Sequence, residues 1–448
     1  MKRWLIRILK AIVIAEIVYL LLINTALNLP WTQTIVNSIR PEKFTVTWGR
    51  AWSFYPFRVY ALSVSANGQS RSQQWQAETP AARASISPVS LLWRTVKLSN
   101  IEAQDVSYKQ RPRPKPGNDY SKIRRYFPPI DTRELETEVV PSSPPKKDKK
   151  PWKIKIDDIY GLGHHEIWVF QAQGTLEGEI RTDLSFQTQG GPFSLSNGKV
   201  NVNLTSLVLN GDDEVTREGH VEGTIDFLPF VPKDNKGIQA LSFLDIDAMV
   251  QTETKSLAFL NYYLKKFNGL QVDGSGYMQG RLRLRQGFLE EGSKLEVAAQ
   301  KLSVDLLDER LEGEGHISIK TPKSLKETDV LIEFANLKAI DRTRDALLFT
   351  GEGVRVDAQG SSFIVPQEGK PFIAKRLAVT IPEVEVPDLE AYQSYLPDKW
   401  PLMLHGGTGT LQGFFELTPK SLRGDLRLNS EAADVGIKEY RFNTNLDI

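Results

Sequence analysis

Strict alternation of apolar and polar positions runs through most of this chain. Val200, Val202 and Leu204 alternate with Asn201 and Asn203, and Leu282 and Leu284 with Arg281, Arg283 and Arg285. Leu295 with Val297, Leu302 with Val304, and Ile317 with Ile319 do the same. A period of two marks strands with one apolar face and one wet face. Turn signals such as Asn210-Gly211-Asp212 separate the runs. Nearer the N-terminus, Phe44, Val46 and Trp48 alternate, followed by Val59, Ala61 and Val64. The stretch Ala82–Tyr108 reads as a strand, a short helical turn at Val89–Trp93, and two further strands. Beyond the N-terminal region, convincing helical patterns are confined to Thr254–Phe267 and Asp388–Leu396.

The strand pattern repeats. Leu270, Val272, Gly274, Gly276, Met278, Gln279, Gly280, Leu282 and Leu284 fall on Leu402, Leu404, Gly406, Gly409, Leu411, Gln412, Gly413, Phe415 and Leu417, with one inserted residue. The helical runs ahead of the two copies match as well: Leu257, Tyr263 and Leu264 fall on Leu389, Tyr395 and Leu396. A weaker third copy is Gly174-Thr-Leu-Glu-Gly-Glu-Ile180. A repeated β-unit argues for an extended or stacked sheet. Glycine inside a strand marks a bend, a bulge or a close approach.

The first thirty residues read as a targeting or anchoring segment. Lys2, Arg3, Arg7 and Lys10 precede a nearly continuous apolar run from Ala11 to Leu22, which Ile23–Leu29 extends with two asparagines. Its length approaches the roughly 20 residues of a spanning helix. The basic start favours a cytoplasmic N-terminus. No small-x-small cleavage site follows, which favours an uncleaved anchor over a removed signal peptide. The expected anchor residues are Ala11, Ile12, Val13, Ile14, Val18, Leu20, Leu21 and Leu22, with Trp31 at the interface. Glu16 lies inside the run, either paired with a partner helix or simply protonated or interfacial. Pro30–Ile39 reads as a second short helix, with Trp31, Ile35 and Ile39 on one face.

Composition narrows the chemistry. The 448 residues carry a formal net charge of +1 and no cysteine. No global field draws nucleic acid. Disulfides, thiol nucleophiles, zinc fingers and iron–sulfur sites are excluded, and an oxidising compartment is permitted. The segment 111–152 is rich in Pro, Lys and Arg and reads as a loop or linker, with one short helix around Tyr120–Tyr126. Its basic clusters suit either solvent or anionic headgroups. His405-Gly-Gly-Thr-Gly resembles an oxyanion or phosphate loop, but its repeat mate Asp273-Gly-Ser-Gly has no histidine and a strand follows each. His164-His165-Glu166 offers metal-ligand types, yet neighbours on a strand face opposite ways. No catalytic, metal or cofactor residues emerge, so an enzyme is not expected.

The stretch Ile86-Ser-Pro-Val-Ser-Leu-Leu-Trp-Arg-Thr-Val-Lys-Leu-Ser-Asn-Ile-Glu-Ala-Gln-Asp-Val-Ser-Tyr108 resembles the N-terminal signature of the AsmA-like family, which includes the TamB-type proteins of Gram-negative bacteria. Gly292-Ser-Lys-Leu-Glu-Val-Ala298 and the glycine-strand repeats are similar to that superfamily's β-repeats. The resemblance covers about residues 1–110 by signature and the remainder by pattern. It implies a mainly β fold: an N-terminal transmembrane helix, then an elongated, curled antiparallel β-sheet groove with a few short helices. The expected segments are 1–30 (anchor), 31–110 (AsmA-like β-unit), 111–152 (loop or linker), and β-repeat units at 153–255, 256–387 and 388–448. The implied function is binding or transfer of phospholipid along an apolar groove in the periplasm, anchored in the inner membrane, without a cofactor. Partners would be phospholipid, the membrane and other envelope proteins, and not nucleic acid. Val200, Val202, Leu204, Leu282, Leu284, Leu295, Val297, Phe415 and Leu417 are the expected lipid-facing residues. An ordinary sandwich core accounts for the same pattern. The alternative function is an assembly factor for outer-membrane proteins that recruits strands through sheet edges.

Overall fold

A computed structural model describes residues 2–38, 43–70, 73–113, 125–130, 150–188, 190–211, 213–232, 234–235, 237–261, 270–306, 308–322, 327–362, 374–397 and 399–448. The chain is mainly β: 23 strands form a long, largely antiparallel sheet with few helices. Its contacts divide it into two compact units, Met1–Glu214 with His220–Phe243, and Val215–Gly219 with Leu244–Ile448.

Unit 1 opens with helices α1 (Lys2–Asn28) and α2 (Pro30–Ser38). Strands β1 (Phe44–Thr47), β2 (Arg50–Tyr55), β3 (Arg58–Gln69), β4 (Gln73–Ser87), β5 (Thr95–Gln104), β6 (Ser107–Pro112), β7 (Lys153–Val169), β8 (Ala172–Gln187), β9 (Phe193–Leu209) and β10 (Asp213–Phe230) follow. Both β1 and β2 pair with β3, β3 with β4, and β4 with β5 and β6, all antiparallel. The Pro- and Lys-rich connection then returns the chain so that β7 runs parallel to β5 and β6. Parallel neighbours require such a long crossover. Antiparallel pairing resumes from β7 through β8 to β9.

Three residues with left-handed backbone line up across this sheet: Asn100 on β5, Asp158 on β7 and Asn197 on β9, with φ of 48°, 55° and 56°. Each sits at an interruption of the ladder. The Asp183 carboxylate ties two of them, accepting from the Asp158 N–H at 2.7 Å and from Asn197 Nδ2 at 2.7 Å. Bulges bend a strand and sharpen its twist, so the row acts as a built-in crease.

The helices cover the exposed edge of β2 and β1 through side-chain amides. Asn24 exchanges hydrogen bonds with the backbone of Ser53 (2.7 and 3.1 Å), and Asn28 with Ala51 (2.6 and 3.2 Å). Gln33 donates to the Trp48 carbonyl at 2.7 Å, and Asn37 exchanges two bonds of 2.8 Å with Val46. The match is metric: four residues of helix rise about 6 Å and two residues of strand about 6.7 Å. Trp31 and Ile35 of the second helix stay exposed at 53% and 54%, since the face turned to the sheet is the Gln33/Asn37 face. Ile39 lies outside the described residues.

Among the described residues no helix is long and apolar enough to cross a membrane. The docking explains the shortfall against the expected span. From Asn24 onward α1 is committed to the sheet, and the free apolar run before it, interrupted by Glu16, measures only about 20 Å, against about 30 Å of hydrocarbon.

Unit 2 contains β11 (Leu244–Thr254), β12 (Leu270–Arg285), β13 (Phe288–Leu289), β14 (Lys294–Leu306), β15 (Glu309–Lys320), β16 (Glu327–Asp341), β17 (Ala346–Gly351), β18 (Arg355–Ser361), β19 (Ala374–Val386), β20 (Leu402–Gly406), β21 (Gly409–Thr418), β22 (Ser421–Ile437) and β23 (Tyr440–Asp447). Cross-strand partners place Met278, Val297, Ile317, Ile332, Val356, Val379 and Phe415 in one row over seven strands. Its five central members are 2–4% exposed. A parallel row, Val272–Val304–Leu311–Ala339–Phe349, is also buried. These rows share one closed core with the fully buried Phe334, Leu257 and Leu389.

The repeat is structural as well as textual. Leu257 and Leu389 open short 3-10 turns at Ala258–Leu260 and Leu389–Tyr395, and both side chains are fully buried. Asn261 and Gln393 then reach the backbone N–H of Val272 and Leu404, at 2.7 and 2.6 Å. A Cβ on Gly280 would meet the Lys294 carbonyl at 2.0 Å, and one on Gly413 the Asp425 carbonyl at 2.1 Å. These glycines therefore serve close backbone approach. Tyr263 and Leu264 lie outside the described residues, as do residues 262–267 of the helical run expected at Thr254–Phe267; its described part forms only the short 3-10 turn Ala258–Leu260. Thr254 itself ends β11.

Candidate functional site

Among the described residues, unit 1 carries the same kind of apolar rows without such a cover. Ile86, Leu98, Ile156, Leu184 and Leu195 are successive cross-strand partners on β4, β5, β7, β8 and β9. A second row next to it is Val96–Ile154–Phe186–Phe193. A third runs Ala61–Ala82–Ala103–Gly161–Ile180–Val200. Gly161 apart, all are half-buried or exposed, with Ile86 at 42%. The opposite face is polar: Lys97, Lys155, Ser185 and Ser194 form its row, and Asp157 pairs with both lysines at 3.2 and 3.4 Å. Five strands at about 4.8 Å spacing make the first row about 19 Å long. One leaflet's acyl chains occupy about half of a 30 Å core.

The two ends of this face differ. At one end the β2–β3 turn and the 3-10 turn Pro88–Trp93 stand side by side, joined by the Ile86 N–H donating to the Phe57 carbonyl at 2.8 Å. Phe54, Tyr55, Phe57, Val89, Leu92 and Trp93 are exposed there by 54–79%. The register of α1 on β2 carries the helix past this same end, because Tyr19 bonds Ser53 at 2.7 Å and every earlier residue lies beyond it. Ala11, Ile12, Val13, Ile14, Val18, Leu21 and Leu22 are exposed on that projecting helix, and Leu20 is half-buried. An apolar patch of this extent on a protein surface marks a membrane or partner contact.

At the other end the face turns polar and closes. Arg111 donates to the carbonyls of Pro128 and Ile130 (3.3 and 3.2 Å) and to Gln74 at 3.0 Å. Pro128 and Ile130 are buried, so this piece of the expected solvated linker is packed. Residues 120–124 of the helix expected around Tyr120–Tyr126 lie outside the described residues, as do Lys115 and the lysines at 146, 147 and 149. Tyr108 nearby donates to Gln110 at 2.9 Å, and burial pushes its hydroxyl up to about 12.

The residues selected from the sequence share faces as their alternation requires. Leu295 and Leu417 belong to one row, Leu295–Ile319–Val330–Ala358–Leu377–Leu417, and Val297 and Phe415 to the next. Val297 is sealed in the unit 2 core at 3%, with Phe415 packed against it. Leu284 is buried and partners Ile246; Leu282 partners Ala248 and is half-buried. Leu417 is 47% exposed. In unit 1, Val202 is buried beside Gly178, while Val200 and Leu204 are half-buried. The alternation does not single out Ile156, Leu184 or the exposed end. Their signal was present in Lys153-Ile-Lys-Ile and Asp183-Leu-Ser-Phe, but bulges interrupt it.

His165 turns inward at 2% exposure, while His164 faces solvent 3.7 Å from Glu177. The His165 ring accepts from the Val106 N–H at Nδ1 (3.1 Å) and lies 3.3 Å from the Gly178 carbonyl at Nε2. Among the described residues no cluster of metal-ligating side chains forms. Burial holds the His165 pKa below its ordinary value. The unfolded chain therefore binds a proton below about pH 6.5 that the folded chain resists. This contribution to stability is present above that pH and lost as pH falls through the folded pKa. Denaturant midpoints at pH 7.5 and 5.5 should show the decline, and His165→Gln should flatten it. An unchanged slope in the variant would exclude His165 as its source.

Scans against family models, curated proteins and solved structures each return no match.

Proposed function

We propose that this is a membrane-anchored protein that binds and transfers phospholipid, with acyl chains lying on the uncovered apolar face of unit 1. One observation carries the proposal: that face opens at the end where α1 projects and Phe57, Leu92 and Trp93 are exposed, and closes at the other end. A lipid leaving a bilayer held at that end would meet apolar rows without crossing water. No chemistry is needed for the task, only apolar shielding. The projecting apolar half of α1 supplies the anchor, with Lys2, Arg3, Arg7 and Lys10 suited to headgroups. In keeping with the AsmA-like resemblance, we place the anchor in the inner membrane and the bulk in the periplasm, with the sheet of unit 1 curled into a groove.

The test uses the chain beginning at Tyr19, which keeps Asn24 and Asn28 on β2. Leu92→Ser with Trp93→Ser removes two large apolar side chains from the open end. Transfer of a fluorescent phospholipid between vesicles should slow by roughly tenfold or more, with bound lipid retained. Unchanged transfer would remove this end from the lipid's route.

A further inference from the structure

Three neighbouring segments at the open end of unit 1 each carry an aromatic residue followed by a cation. They are Phe57-Arg58 at the β2–β3 turn, Trp93-Arg94 where the 3-10 turn enters β5, and Trp152-Lys153 at the start of β7. Backbone bonds hold them side by side: Ile86 donates to the Phe57 carbonyl at 2.8 Å, and Lys153 to the Arg94 carbonyl at 3.0 Å. From β3 through β4 and β5 to β7 is three strand spacings, about 14 Å. Phe57 and Trp93 are exposed, Trp152 is half-buried, and all three cations are exposed. The polar face of the unit differs, because its cations have acidic partners: Arg83 pairs with Glu102, and Lys97 and Lys155 with Asp157. Among the described residues, Arg58, Arg94 and Lys153 have none. Segments 54–58, 86–95, 150–154 and 186–193, which form this end, contain no Asp or Glu. The first carboxylate further along is Asp234, in the turn after β10.

We propose that this end docks on a bilayer surface of anionic phospholipid, with Phe57, Leu92 and Trp93 entering the headgroup layer and Arg58, Arg94 and Lys153 meeting its phosphates. Resting on the lipid-bearing reading of unit 1, this assigns the headgroup class of the bilayer from which the face takes lipid. Aromatic side chains are favoured at the headgroup level, and each cation held close to an anionic leaflet is drawn by its surface potential. The two features act together. Apolar side chains alone would meet any bilayer equally, and the cations alone would rest in the ion atmosphere above it. Placing each cation next in sequence to an aromatic residue sets both at one depth on all three segments. Helix α1 projects past this same end, so the membrane it enters is the one presented to these segments.

The test uses the full chain, whose lack of cysteine allows a single reporter. Val89 lies in the 3-10 turn and is exposed. Val89→Cys, labelled with an environment-sensitive dye, is reconstituted through α1 into vesicles of phosphatidylcholine, or of an equal mixture with phosphatidylglycerol. In the mixed vesicles the dye should report apolar surroundings and respond to lipid-borne quenchers. In phosphatidylcholine alone the ratio of docked to free ends should fall roughly a hundredfold, the effect of three such cations. Arg58→Gln, Arg94→Gln and Lys153→Gln together should give the same fall in the mixed vesicles, and raised salt should give it with the three cations in place. Lys2, Arg3, Arg7 and Lys10 are common to both chains and cannot cause the difference between them. Equal docking on the two kinds of vesicle, or docking indifferent to the triple variant and to salt, would overturn the proposal. Charge-blind docking by a chain that still carries phospholipid would leave the lipid-bearing reading standing. Charge-selective docking by a lipid-free chain would uphold the docking surface and remove that reading.

Discussion

A chain carrying Ile156→Asp and Leu184→Asp is expected to fold and to lose its phospholipid. The two side chains are cross-strand partners in the middle of the first apolar row of unit 1. Both are only half-buried, so each substitution forfeits about 1–2 kcal/mol of burial. That shifts thermal unfolding by several degrees, not tens. An acyl chain on the row sees a larger change. Ten shielded methylenes are worth about 8 kcal/mol, and an unpaired carboxylate beneath them costs several more unless the chain withdraws. Phospholipid recovered with the purified protein should fall at least a hundredfold, while circular dichroism keeps its β signature. Retained lipid on a folded variant would move the binding face elsewhere.

The opposite pairing of effects is expected in unit 2. Phe334 is fully buried at the centre of its core. Phe334→Ala should cost about 3–5 kcal/mol, a large share of a typical stability of 5–15 kcal/mol. Val297→Asp would place a carboxylate in the same core and should prevent unit 2 from folding. Phe334→Ala should leave lipid on unit 1 unchanged. Denaturant unfolding and lipid quantification on one preparation separate the two properties. Lipid lost from Phe334→Ala at unchanged stability would mean that the unit 2 rows hold it.

Strands, their faces and the repeat were legible from alternation, because a period of two places Leu295 with Val297, and Phe415 with Leu417, on one side of their strands. Whether that side is sealed depends on which strands curl over it, and a period of two is identical in both cases. Val297 and Val200 therefore looked alike and differ in burial. Alternation misses Ile156 and Leu184 for a local reason. Asp157-Asp158 and Thr182-Asp183 each put two polar residues together, which breaks the alternation at the bulges. Asn24 and Asn28 read as interruptions of an apolar helix. Their partners Ser53 and Ala51 lie in a strand with no sequence feature that marks a helix edge. The repeated glycines read as marks of a bend, a bulge or a close approach, and a Cβ on Gly280 or Gly413 would collide with a neighbouring carbonyl, which shows close approach at both.

The most direct test of a lipid-bearing face in unit 1 is mass spectrometry of the chain beginning at Tyr19, purified from cells without detergent. Phospholipid near one or more molecules per chain, absent from the Ile156→Asp, Leu184→Asp variant, is the expected result. A folded, lipid-free wild-type chain would contradict it and leave those rows as a surface for something other than lipid.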